Sequence, residues 1–191
     1  MARVSLVQKH QASAEVAELF RRIEDNGARI INLYKAVANS PHVTRDVVKL
    51  GNSLMGKTDL SPRLRELAIM RTARLCDCKY EWAQHRAVAL DCGVTQAQLD
   101  AIEPWNESDV FTEEERAVLQ YVDEASQKVK VEDRTFKALR QHLTERDIVE
   151  LTLTIGWWGM LARFLVSLKI EIDEQPTGSA GDLLGRGPAG K

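Results

Sequence analysis

The chain has 191 residues, 44% of them hydrophobic and 28% charged, with a formal net charge of −2. That length suits one domain with a core large enough to do without disulfides or metals, and the dispersed, balanced charge is not the footprint of a nucleic-acid binder. The N-terminus, MARVSLVQKHQASAEVAELF, lacks the continuous apolar run of a secretory leader, so the cytoplasm is the expected compartment and Cys76, Cys78 and Cys92 are expected to be reduced.

Helix signals follow one another along the chain, and strand alternation is scarce. Residues 13–25 read as a first amphipathic helix with Val16, Leu19, Phe20 and Ile23 on one face, closed by Gly27. Residues 28–38 read as a second. Ser40 and Pro41 open a third, to about Gly56, and Ser61 and Pro62 open a fourth over 62–75. A fifth carries CDCKYEWAQH, residues 76–85, and ends at Gly93, a natural left-handed C-cap. Thr95 with Gln98 forms a capping box for a short helix to about Ile102, and Thr112 with Glu115 opens one over 113–129. Residues 132–142 form another, and Thr144 starts the last and most apolar, to about Lys169.

Within that last helix, LTLTIGWWGMLARFLVSL (151–168) approaches the length of a membrane span. Arg163 lies inside it, which costs about 2.5–3.5 kcal/mol on insertion scales, and no second span accompanies it. The segment reads as a buried or subunit-interface helix, with no membrane partner. The expected organisation is all-α: about eight or nine helices in a single domain over 1–173, with a flexible tail over 174–191, EQPTGSAGDLLGRGPAGK. A short echo between LSPRLRELAIMRTA and LTERDIVELTLTIG suggests an internal helical repeat.

The chemistry concentrates in residues 76–92. On one continuous helix Cys78, Glu81, Trp82, His85, Val88, Ala89 and Cys92 share a side. A carboxylate one turn before an imidazole favours the charged ring and fixes its tautomer. A cysteine one turn further back can give up its proton to that pair, and the thiolate is the reactive form. Cys78, Glu81 and His85 are also residue types that zinc accepts, although no established ligand-spacing pattern accompanies them. No glycine-rich phosphate loop or dinucleotide fingerprint is present. Trp157 and Trp158 read as core or interface residues, and Tyr80 as a packing residue with the capacity to donate into a pocket.

With these residues in view, the segment from Leu60 to Ile102 resembles the carboxymuconolactone decarboxylase and alkylhydroperoxidase D (AhpD) superfamily. Glu66 fits the glutamate of the peroxidase branch, Cys78 its first cysteine twelve residues on, and His85 its histidine. Glu81 stands where that branch has its second cysteine, and with His85 it matches the Glu-x-x-x-His of the decarboxylase branch. The resemblance implies an AhpD-like helical fold, assembly into trimers, hexamers or related homo-oligomers, and no cofactor or metal. It implies catalytic roles for Glu66, Cys78, Glu81 and His85 on a small-molecule substrate. The leading expectation is acid–base chemistry on a small organic acid or lactone, with Glu81 and His85 as the pair, Glu66 assisting and Cys78 lining the pocket. The alternatives are a thiol peroxidase using Cys78, with Cys76 as a strained substitute for the missing resolving cysteine, and a non-catalytic helical binding or assembly protein whose stripe is packing.

Overall fold

The structure, a computed structural model, describes residues 1–179; the part of the expected tail from 180 to 191 lies outside them. The described residues form nine α-helices and no strand. They are α1 (Ala14–Asp25), α2 (Asn32–Val37), α3 (Pro41–Gly56), α4 (Pro62–Leu75), α5 (Lys79–Asp91), α6 (Gln96–Asp100), α7 (Glu113–Lys128), α8 (Asp133–Leu139) and α9 (Glu145–Ser167). The all-α expectation holds.

Helix α4 is the axis of the molecule and packs against α5, α7 and α9. Leu67, Ala68, Ile69 and Met70 are all fully buried, so the helix has no solvent face through its middle. Burial on every side also takes in Arg65, Glu66, Arg71 and Thr72. Buried charges persist only when paired, and these are. The Arg71 guanidinium donates to both Asp123 carboxylate oxygens and to the carbonyls of Ile102 and Glu103. Thr72 returns its hydroxyl to the Ala68 carbonyl.

Four helices end in the same left-handed turn, and one of these turns shapes the site. After α4, Asp77 sits at φ 46°, its N–H bonds the Arg74 carbonyl, and the next N–H, of Cys78, bonds the Ala73 carbonyl. This is a Schellman closure with aspartate in the place usually taken by glycine. Gly27, Gly93 and Lys169 close α1, α5 and α9 through the same pair of bonds.

Helix α2 is shorter than the 28–38 expected. Ile31 is extended (φ −76°, ψ 160°), and the N–H groups of Asn32 and Leu33 bond Asp173 and the Tyr80 hydroxyl. These tertiary acceptors satisfy the first turn and hold the preceding residues extended. Helix α9 is long and apolar enough to cross a membrane by length and composition, but half of that stretch is buried inside this fold, against α4 and its neighbours.

Candidate functional site

Three of the four residues singled out in the sequence meet where α4, α5 and α9 pack. Glu66 projects from α4 and is fully buried, and both its carboxylate oxygens are engaged. Oε2 is 2.9 Å from Nδ1 of His85 on α5, and Oε1 accepts from Nε of Arg65 at 3.2 Å. The other ring nitrogen, Nε2, accepts the indole N–H of Trp158 on α9 at 2.9 Å, with the two rings edge to face, centroids 5.4 Å apart. Glu81, one turn before His85 on α5, has Oε2 3.6 Å from the same Nε2.

The hydrogen-bond network fixes the tautomer of His85. Nε2 must offer a lone pair to Trp158, so the proton is on Nδ1 and is donated to Glu66. Burial works against a charged ring, while the two carboxylates raise its pKa and give a net upward push. The indole bond decides between these tendencies, because a protonated Nε2 has nothing with which to accept it. The ring is therefore the neutral Nδ1–H form, with both nitrogens committed.

Glu81 is different. It is buried, and its Oε1 has no hydrogen-bond partner. Burial pushes its carboxyl up to about 7, and the Glu66 charge adds to the shift. A carboxyl with that pKa is near half-protonated at neutral pH and can both give and take a proton. It faces a cavity of about 40 Å³ whose apolar walls include Ile31, Leu33, Val47, Met55 and Leu161. Tyr34 and Trp157 border the same space. The Tyr34 phenol is pushed up to about 12 by burial and by Glu81, so it stays neutral. The indole nitrogen of Trp157 is buried and, like Glu81 Oε1, has no partner.

Cys78 does not join this group, which corrects the stripe drawn from the sequence. The left-handed Asp77 ends α4, and α5 begins only at Lys79 with Cys78 as its N-cap. The thiol is buried among Leu33, Val37, Leu161 and Leu165 and borders a separate hollow with Asp77 and Lys169. Burial pushes its pKa up to about 12, although the amides of Glu81 and Tyr80 act the other way. It is a thiol at neutral pH. Cys76 and Cys92 are partly buried, and all three cysteines are free. The Cys78–Glu81–His85 ligand set is accordingly not assembled, and no cluster of three or more His, Cys, Asp or Glu side chains suited to a metal occurs among the described residues.

Two site features were not assigned from the sequence. Trp157 and Trp158, which the sequence marks as core or interface, are adjacent on α9; both line the cavity, and Trp158 also bonds His85. The second feature is a strap after α9. Asp173 accepts from the Tyr80 hydroxyl at 2.5 Å, from Gln84 at 2.7 Å and from the Asn32 N–H at 2.9 Å. Thr177 is buried, and its N–H bonds Gln84 at 2.8 Å. Tyr80 and Gln84 are on the cavity wall, so residues 173–177 hold that wall from behind.

Comparison with known proteins bears on the fold and on family similarity. The family model for the carboxymuconolactone decarboxylase family matches residues 41–124, which contain Glu66, Cys78, Glu81 and His85 but neither tryptophan of α9. The uncharacterized protein YnjA of Escherichia coli K12 is 29% identical over 115 residues, 60% of this chain and 63% of YnjA, so the match spans less than two thirds of that relative. The solved structure of ATU0492 from Agrobacterium tumefaciens, a protein of unknown function named as a candidate antioxidant defence protein AhpD, superposes with a TM-score of 0.68 at 26% identity. It covers 73% of this chain and 96% of its own. An uncharacterized peroxidase-related protein with an alkylhydroperoxidase AhpD core, from Ralstonia eutropha JMP134, gives a TM-score of 0.78 at 18% identity over 98% of this chain and 97% of its own; at that identity the likeness speaks for fold alone. Residues 41–124, less than half of the chain, are thus similar to the carboxymuconolactone decarboxylase family, and the helical fold is AhpD-like.

Proposed function

We propose that this protein is an enzyme catalysing cofactor-independent proton transfer on a small organic substrate, with Glu81 Oε1 as the atom that takes and returns the proton. The observation that carries the reading is the state of Glu81: a buried residue of the cavity lining, with one oxygen unpaired and its carboxyl pushed to about 7. His85 and Glu66 are positioning residues in this account. Their hydrogen bond, with that from Trp158, locks the imidazole beside Glu81 and keeps its second oxygen in a fixed field. The decarboxylase branch of the family carries the same Glu-x-x-x-His pair, which supports the assignment.

The thiol alternative has less support. A peroxidatic cysteine needs a thiolate within reach of its proton relay, and Cys78 is buried, raised to about 12 and borders a different hollow from the His85 cavity. The test is turnover of E81Q, H85A and C78S on panels of lactones and organic hydroperoxides, with folding checked by circular dichroism. The proposal requires E81Q to lose about 10²- to 10⁴-fold and C78S to stay near wild type. Loss in C78S alone transfers the activity to the thiol, and full activity in all three variants leaves the site as packing.

We also propose that the protein works as a cytoplasmic homo-oligomer. Val149, Leu153 and Met160 are 58%, 54% and 45% exposed on one face of α9, an apolar stripe that a monomer leaves in water.

A further inference from the structure

We infer that the substrate is a small uncharged carbonyl compound, with its oxygen on the Trp157 indole N–H and its adjacent C–H facing Glu81; this rests on the proton-transfer reading above.

Two residues that line the cavity each hold a buried polar atom without a partner: Glu81 at Oε1 and Trp157 at Nε1. A buried polar group left unpaired is destabilising, and two around one cavity call for an occupant that satisfies both. They are complementary in kind. The indole can only donate, so it asks for an acceptor. The carboxyl, near half-protonated at neutral pH, asks for a hydrogen it can exchange. A carbonyl oxygen beside an acidic C–H meets both demands in one small molecule.

Charge narrows the class further. No lysine or arginine is among the described residues lining the cavity. Arg65, the guanidinium closest in the network, is bound to Glu66, and His85 is neutral. A substrate carboxylate would therefore be buried without a counter-charge beside Glu81 and Glu66, and an unpaired charge in a buried site is heavily penalised. The apolar walls reinforce this preference. The cavity of about 40 Å³ has room for only a few waters, so the ligand is a short chain or a single small ring, admitted as the partly exposed Trp157 gives way.

The chemistry balances without a co-reactant. The C–H bond breaks, its proton passes to Glu81 Oε1, and its electron pair moves through the carbonyl carbon onto oxygen, where the Trp157 N–H holds the enolate. Return of the proton to the same or a conjugated carbon restores Glu81 and gives exchange or isomerisation. Decarboxylation, which needs a carboxylate on the substrate, is not the reaction this cavity fits.

The test uses the full chain with ¹⁵N-labelled tryptophan. Its four tryptophans give four indole signals, and W157F identifies the one in question. The probes are α-angelica lactone, a neutral five-membered enol lactone, and the same ring with a carboxyl group in place of its methyl. The neutral lactone is expected to move the Trp157 signal at millimolar concentration and to isomerise. E81Q is expected to keep that binding while losing at least about a hundred-fold in isomerisation, and W157F to lose about 10²- to 10³-fold as the oxyanion donor goes. The carboxylated ring is expected to leave the signal unmoved. The inference is overturned if the carboxylated ring binds as well as the lactone, or if neither shifts Trp157. Binding of the neutral ring with E81Q-insensitive turnover supports the substrate class and removes the proton-transfer reading. A carboxylated ring turned over with full dependence on Glu81 retains that reading and overturns the substrate class.

Discussion

Trp158 donates its indole N–H to Nε2 of His85 at 2.9 Å, and that bond takes the imidazole out of direct chemistry. The other nitrogen is held by Glu66 at 2.9 Å, so the ring has no lone pair or proton left for a substrate. What remains reactive is its neighbour, Glu81. The histidine of the motif serves the carboxyl beside it.

Removing the indole bond is therefore informative. W158F should leave the packing of α9 largely intact but free Nε2. The ring is then open to protonation, and its pKa should rise, because Glu66 and Glu81 both push it upward with no donor opposing them. A ¹H–¹⁵N titration of the His85 ring in wild type and W158F measures this; an unchanged titration means the indole bond is not what keeps the ring neutral.

Glu66 is expected to matter for stability as much as for activity. It is fully buried between Arg65 and His85. E66Q leaves the Arg65 charge buried without its partner, and breaking a buried pair typically costs about 3–5 kcal/mol. Urea unfolding of E66Q should show a correspondingly lower midpoint with an unchanged slope, and wild-type stability would mean the pair contributes nothing.

The fold was largely legible in the sequence. Ser61–Pro62 and the three capping boxes at Thr95, Thr112 and Thr144 placed their helix starts at the observed positions. These signals are local: at the three threonines a side chain satisfies an N–H three residues away, and Pro62 presets the first turn of α4. The pairing of Glu81 with His85 was legible for the same reason, since it needs only one helical turn. The sequence separates the fourth helix, ending near 75, from the fifth, but aspartate is a weak signal for the left-handed turn at Asp77, so nothing marks that α5 starts only at Lys79 with Cys78 as its cap. Trp157, Trp158 and Asp173 lie 72 to 92 residues from Glu81 and His85 along the chain, and nothing local says that α9 crosses α5 or that the strap returns to Tyr80.

That strap supports the cavity wall, and its weakest point is a single side chain. Asp173 accepts from three donors, on Asn32, Tyr80 and Gln84. D173A strands them, at about 1–3 kcal/mol for buried groups left unpaired, and should raise amide exchange at Leu33 and along residues 173–177. Unchanged protection in this region would show that the strap is held by its other contacts.

The thiols should divide by burial. Cys78 is 2% exposed, whereas Cys76 and Cys92 are partly buried. A disulfide reagent added to native protein at pH 8 should modify Cys78 last, and only as the chain unfolds. Rapid labelling of Cys78 would reopen the thiol reading.

The exposed stripe on α9 gives the assembly proposal a direct test. M160D together with L153D places charge on residues that water already reaches, so the fold should survive while self-association is lost. Sedimentation should report an oligomer for wild type and a monomer for the double variant; a wild-type monomer at micromolar concentration contradicts the proposal.

The raised pKa of Glu81 has a consequence for stability. The carboxyl ionises at about 7 in the folded protein against an ordinary 4.5. Its neutral form is favoured by folding, so this contribution is fully present below about pH 4.5 and is lost as pH rises through about 7. E81Q cannot ionise. The stability of wild type relative to E81Q should therefore fall between pH 5 and pH 8, read as the difference in denaturation midpoints; a difference that stays flat would mean Glu81 titrates in its normal range.

The central claim concerns the protonation of that one carboxyl, and it can be measured without knowing the substrate. In protein labelled with ¹³C at glutamate side-chain carboxyls, the signal missing from E81Q is Glu81, and its shift can be followed with pH. A midpoint near 7 is the result expected of a buried acid–base group facing the cavity. A midpoint in the ordinary carboxylate range would contradict the account, because Glu81 would then be a permanent anion at neutral pH with no proton to give.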